Sequence, residues 1–215
     1  MLVLSSLTSL ADARFFLGID GGYSMDKIDV KTEDIKGYGG SIITPGSFTK
    51  NAYLGNGYLF NINLGTEHHF DKNNYVGFRW FLAGGYGRTT LINQSNNLIQ
   101  YPSNVIEANL GLDLLLDVIK FGNNSIGLFG GVEGGVNGTI SDAYYYDRQC
   151  DKYPTFPSIS PSVFGRVGVS LLLANHHRVE FVTKIPIYEL DNSSTDYADK
   201  RYKSIKFMFG YKFVF

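Results

Sequence analysis

Residues 202–215 read YKSIKFMFGYKFVF. Every second residue is large and apolar: Ile205, Phe207, Phe209, Tyr211, Phe213 and Phe215. Between them lie Ser204, Lys206, Met208, Gly210, Lys212 and Val214. A period of two belongs to a β-strand whose faces meet different surroundings. Chain ends usually fray in water. An aromatic stripe placed there calls for an apolar neighbour along its whole length.

The same alternation recurs along the chain. RFFLGIDGGY (14–23) sets Phe15, Leu17, Ile19 and Tyr23 against Gly18, Asp20 and Gly22. YLFNINLGTEHHF (58–70) sets Tyr58, Phe60, Ile62 and Leu64 against Asn61, Asn63 and Glu67. YVGFRWFLAGGYG (75–87) sets Val76, Phe78, Trp80, Leu82 and Tyr86 against Arg79 and Phe81. SIGLFGGVEGGVNG (125–138), SVFGRVGVSLLLA (162–174) and RVEFVTKIPI (178–187) follow suit, placing Glu133, Arg166, Glu180 and Lys184 on the second face. In VIEANLGLDLLLD (105–117), Ile106, Ala108, Leu110, Leu112, Leu114 and Leu116 stand against Glu107, Asn109 and Asp113. That last segment also fits an amphipathic helix and is the weakest strand of the set.

With the terminal stretch this makes eight strands, an even number, most near ten residues long. A tilted strand needs about 9–11 residues to cross a bilayer. In hydrocarbon every backbone N–H and C=O must pair within the protein, so a sheet spans only as a closed barrel. Eight is the smallest usual count. The connections alternate in length: short at 71–74, 118–124 and 174–177, long at 24–52, 88–104, 138–160 and 188–202. The pattern predicts an all-β, eight-stranded antiparallel up-and-down transmembrane β-barrel, with short turns in the periplasm and long loops outside.

One face is apolar throughout. The other mixes Gly and Asn with charges of both signs: Glu67, Arg79, Glu107, Asp113, Glu133, Arg166, Glu180, Lys184, Lys206 and Lys212. A soluble barrel has the opposite polarity, apolar inside and charged outside. The sequence therefore reads as inside out, with lipid around it and the charges paired into a salt-bridged plug that fills a narrow lumen. The paired glycines Gly21-Gly22, Gly84-Gly85, Gly130-Gly131 and Gly134-Gly135 read as steric relief in a strongly curved sheet. No Gly-Lys-Ser/Thr follows them, which argues against a phosphate loop.

A net charge of −1 gives no electrostatic reason to expect nucleic acid. The single cysteine, Cys150, excludes an internal disulfide and a cysteine zinc cluster. It reads as an unpaired residue in a polar loop, and no cofactor is expected. MLVLSSLTSLADA (1–13) has a short apolar run and the small-x-small Ala11-Asp12-Ala13 of a signal-peptidase site, though no basic n-region. The expected division is a signal peptide at 1–13 and the barrel at 14–215.

NHHRVEFVTKIPIYEL (175–190), followed by a polar stretch and a final aromatic strand, resembles the C-terminal region of the Helicobacter outer membrane protein family. Lys184-Ile185-Pro186 and the aromatic terminus carry most of that resemblance, and FFLGIDGGYS (15–24) resembles the first strand of small members. The resemblance implies an outer-membrane barrel of a Gram-negative epsilonproteobacterium. Some larger members are adhesins, with a big extracellular domain and paired cysteines that this chain lacks. It also implies that the assembly machinery reads the terminal strand, making Phe209, Tyr211, Phe213 and Phe215 an assembly signal. An unpaired strand can add to a sheet edge while alternate aromatics give specificity.

Three roles compete: a structural or surface-interaction barrel, an outer-leaflet lipid-modifying enzyme, and a narrow pore. A deacylase-type enzyme would need His and Ser near the outer rim, with a carboxylate to orient the His. His68, His69, His176 and His177 fall at the short turns instead, and read as interfacial residues rather than catalytic or metal-ligating ones. The loops hold what specificity there is. Tyr144, Tyr145, Tyr146, Arg148 and Tyr153 are interaction candidates, because Tyr and Arg are favoured at hot spots. The expected partners are outer-membrane lipids and lipopolysaccharide, the barrel assembly machinery, and a host or cell-surface ligand whose identity the sequence does not give. No catalytic residue is assigned.

Overall fold

The computed structural model describes residues 13–31, 35–36, 42–44, 48–71, 74–95, 100–141, 158–189 and 200–215. Its barrel strands are β1 (Arg14–Lys31), β4 (Phe48–His69), β5 (Val76–Asn93), β6 (Gln100–Phe121), β7 (Asn124–Ser141), β8 (Ser158–Leu173), β9 (His177–Glu189) and β10 (Lys200–Val214). A small ribbon of β2 (Ile35–Lys36) and β3 (Ile42–Thr44) lies in the β1–β4 connection. The eight long strands close in the order β1-β10-β9-β8-β7-β6-β5-β4, each antiparallel to its neighbours. The segment that also fits a helix lies wholly in β6. There Leu112 stands opposite Trp80 on one side and Val132 on the other.

Closure runs through the terminal stretch. Phe16 to Val30 of β1 pair with Val214 to Lys200 of β10, and the Phe215 N–H donates to the Phe15 carbonyl at 2.8 Å. On the outer face the Phe15 and Phe215 rings lie 5.6 Å apart, and Phe213 meets Phe215 edge-on at 5.0 Å. The aromatic seam at the short-turn end is thus joined both by backbone and by side chains.

Alternation decides which face each residue takes. Ile106, Leu110, Leu112, Leu114, Leu116 and Val118 of β6 point outward and are exposed, while Glu107, Asn109, Asp113 and Asp117 point inward and are buried. From Ile106 to Val118 is a strand length of about 40 Å. Tilted by about 40°, that length spans about 30 Å, the hydrocarbon thickness of a bilayer. No helix among the described residues is long and apolar enough to cross a membrane.

The strands run further than their apolar stretches. β4 begins at Phe48 and β5 ends at Asn93, so the connection expected at 88–104 shrinks to 94–99, and the one expected at 24–52 is largely strand. The short turn expected at 118–124 is the tight pair Gly122-Asn123, with Gly122 at φ 62°. Backbone hydrogen bonding continues where hydropathic alternation stops, because strands above a membrane need not keep an apolar face. A bulge opposite Pro186 leaves Ile187 unpaired between Val163 and Phe164 of β8. Proline has no N–H to give the ladder there.

Placing a cation at the centre of the lipid face tests this register. Leu112→Arg should lower the stability of the barrel in lipid vesicles by about 2–4 kcal/mol, read as a shift in urea unfolding. A variant as stable as the parent would mean that β6 presents its other face to lipid.

Candidate functional site: the lumen

The lumen is filled. Among the described residues, thirteen apolar and twenty-six polar or charged residues are buried, and the largest fully buried side chains include Arg79, Arg178, Lys184 and Lys212. All ten charges expected to face inward do so, and each has an ionic partner.

Near mid-height, Lys212 Nζ donates to Glu180 Oε2 at 2.6 Å and lies 3.6 Å from Asp20 Oδ1. Glu180 receives the two terminal nitrogens of Arg79, one of them at 3.0 Å. The Nε of Arg79 donates to Asp113 at 2.9 Å. The other Asp113 oxygen lies 3.2 Å from Arg166 Nε. Arg166 pairs with Glu133, which also accepts from Lys184 Nζ at 2.8 Å and from Asn109 Nδ2 at 2.8 Å. Nearer the long-loop end, Lys206 pairs with Glu107. Close by, Asp26 accepts from Thr89 at 2.5 Å and from Ser24 at 3.1 Å.

The strand order gives these contacts their meaning. β5 and β9 stand four places apart in a ring of eight, directly across the barrel, and so do β6 and β10. Arg79–Glu180 and Lys206–Glu107 therefore bridge the full diameter. Arginine suits the first span because its planar fork meets both carboxylate oxygens at once.

Aromatic rings fill the space between the ions. The Arg79 guanidinium lies 4.6 Å from the centre of the Phe129 ring, Arg166 lies 4.3 Å from that of Phe81, and Lys206 lies 4.6 Å from that of Phe164. Each contact adds cation–π attraction to a desolvated cation. Phe81 has room because it leans over Gly111, where a Cβ would overlap its ring, and Phe129 leans over Gly168 in the same way. In the glycine pairs, the inward members Gly22, Gly85, Gly131 and Gly135 are tightly enclosed. The outward Gly84, Gly130 and Gly134 have room for a Cβ, whereas the outward Gly21 lies against the Phe60 ring, so crowding accounts for one member of three pairs and for both of the fourth.

A further tier lies at the short-turn end around Glu67, and its cations Arg178 and Arg14 are not among the expected charges. Arg178, fully buried, pairs with Glu67 at 3.0 Å and lies 3.8 Å from Asp117. Arg14 approaches Glu67 to 3.5 Å. Arg178 shares its parity with Glu180, and that parity was the signal for it. Its place beside the 174–176 turn hid it.

The histidines lie at the short-turn end, as expected, but take different roles. His68 stacks on Phe78 with ring centres 4.8 Å apart. His177 shares a 2.6 Å hydrogen bond with the Tyr211 hydroxyl, and His176 lies 2.8 Å from the Val214 carbonyl. His69 departs from the interfacial reading. It sits within the lower ionic tier, 3.4 Å from Arg14 and 4.0 Å from Asp117. Among the described residues no three of His, Cys, Asp and Glu converge as metal ligands would.

Of the segment 1–13 only Ala13 is described. Cys150 and the loop candidates Tyr144, Tyr145, Tyr146, Arg148 and Tyr153 lie outside the described residues. Phe209, Tyr211, Phe213 and Phe215 line the outer face of β10 beside the closing seam.

The family model described as Helicobacter outer membrane protein matches residues 61–215. The chain belongs to the Helicobacter outer membrane protein family. That membership and the closed barrel place it in the cell outer membrane, crossing with each of its eight long strands. No curated protein sequence matches it. Among solved structures it is similar to the outer membrane protein OprG from Pseudomonas aeruginosa, with a TM-score of 0.50 and 10% identity over 93% of this chain and 95% of that one. Neisserial surface protein A matches with a TM-score of 0.47 and 14% identity over 94% and 97% of the two chains. Ail, the attachment invasion locus protein of Yersinia pestis, matches with 0.41 and 12% over 93% and 99%. The OprG likeness supports the fold and, at that identity, nothing beyond it.

Glu180 faces two buried cations at once, so its loss leaves both short of a partner. Glu180→Gln should destabilise the barrel by about 3–5 kcal/mol, measured by urea unfolding in vesicles. The charge-matched double variant E180Q/K212Q should recover part of that loss. Single and double variants both as stable as the parent would show that the network is not what holds the lumen together.

Proposed function

We propose that this protein is a closed outer-membrane barrel with a structural and surface-interaction role, rather than an open pore. The observation that carries this reading is the pair of ionic bridges across the whole diameter, Arg79–Glu180 and Lys206–Glu107, at two heights. An ion crossing the lumen would have to separate desolvated partners at both levels, against several kcal/mol of charge pairing. Short turns at one end and strands that outrun the apolar band at the other suit a scaffold that carries its connections above the membrane.

The interaction role rests on the connections at the long-loop end, where the sequence concentrates tyrosine together with Arg148. Adhesion to a host or cell surface is the form of it that the family resemblance suggests. A role for the β10 aromatic stripe in recognition by the assembly machinery belongs to the same reading.

Planar-bilayer recording of the refolded chain tests closure. No steady, large open state should appear. A stable porin-like conductance in the parent protein would mean that the ionic bridges do not close the lumen, and the pore would replace the scaffold as the reading.

A further inference from the structure

The outer face of the barrel carries a cation where lipid should be. Arg88 of β5 is exposed and points outward. Among the described residues no carboxylate pairs with it. It stands directly opposite Tyr58 of β4 and Asn104 of β6, and Tyr58 stands opposite Tyr23 of β1. One position nearer the middle of the membrane, the same face is Phe60, Tyr86 and Ile106. The row Tyr23–Tyr58–Arg88–Asn104 is thus the polar edge of the lipid-facing band at the long-loop end, where aromatic residues mark the level of the headgroups.

Three neighbours extend the site. The Tyr86 hydroxyl donates to Asn104 Oδ1 at 3.1 Å, which holds the amide and leaves its nitrogen as a donor beside Arg88. Tyr58 is half exposed on the same face. Above the row, the exposed Lys27 stands across the β1–β10 seam from Lys203. Lys203 has Asp29 at 3.5 Å, whereas no carboxylate among the described residues balances Lys27. Like charges directly opposite destabilise a sheet. Both loose ends ask for the same thing, an anion on the outside of the barrel at headgroup height.

We propose that Arg88, with Tyr58 and Asn104 beside it, binds a phosphate of an anionic outer-leaflet lipid of the lipid A type, and that Lys27, four residues beyond Tyr23 on β1, meets a second phosphate of the same lipid layer. Charge complementarity selects that occupant. The acyl chains lie along the apolar wall below the row, and the phosphate meets the guanidinium, which can grip two of its oxygens. Tyr58 and Asn104 supply neutral donors for the rest. The inference does not depend on whether the lumen conducts.

The full chain is refolded in phosphatidylcholine vesicles, with and without bisphosphorylated lipid A, and unfolded in urea. Lipid A should raise the midpoint of the parent. Arg88→Gln should cut that increment by roughly half, Lys27→Gln should cut it further, and Arg88→Lys should fall between the parent and Arg88→Gln. Dephosphorylated lipid A should give little increment, and free inorganic phosphate at the same concentration should not replace the lipid. An undiminished increment in R88Q/K27Q, or equal stabilisation by the dephosphorylated lipid or by free phosphate, would overturn the proposal. Phosphorus NMR of lipid A added to the parent in detergent needs no variant. A lipid A phosphate resonance should broaden or shift at equimolar protein, and unchanged spectra would overturn the proposal equally.

Discussion

A backbone in hydrocarbon has no water to bond with, and everything else in this barrel follows from that constraint. Each strand needs a partner on both sides, so the first must meet the last. The β1–β10 ladder from Phe16–Val214 to Val30–Lys200 is therefore a condition of the fold rather than one contact among many. Closing a ring of only eight strands leaves an interior just wide enough for side chains. With lipid holding the apolar faces, the charges have nowhere to go but inward, and there they must find partners.

The interior meets that demand by alternating kinds of packing. Ions are joined in a chain from Lys212 through Glu180, Arg79, Asp113, Arg166 and Glu133 to Lys184, drawing on six different strands. Phenyl rings lie against the cations, and glycines directly opposite on the neighbouring strand make room for the rings. An ion pair in a dry site gains little over an apolar core, but losing one partner is costly. Such a lumen tolerates little change at single positions. Its specificity comes from many mutually dependent choices.

Much of this was legible because parity is a strict code. Once Phe207 and Phe209 are outward, Lys206 and Met208 must be inward, and the same step assigns Glu67, Arg79, Asp113 and Glu180. Parity does not give height. Which acid meets which base depends on strand tilt and register, so the cross-barrel partnership of Arg79 with Glu180 could not be read from one strand at a time. Arg178 and His69 escaped because they lie at strand ends, where alternation runs into a turn. The outer connections are shorter than hydropathic alternation alone suggests, for a related reason. Residues such as 48–57 keep their ladder above the membrane, but lipid no longer imposes a pattern on their faces. The helical alternative for 105–117 fell to partners far off in sequence, Trp80 and Val132 on either side of Leu112.

Inversion of the two faces is the central claim, and the protein carries its own probe for it. Trp80 is the single tryptophan, outward on β5 and opposite Leu112 in the middle of the apolar band. In vesicles, its fluorescence should be quenched strongly by lipids brominated deep in the acyl chain and hardly at all by aqueous iodide. Strong iodide quenching together with indifference to brominated lipid would put that face in water, and the inside-out account would fall with it.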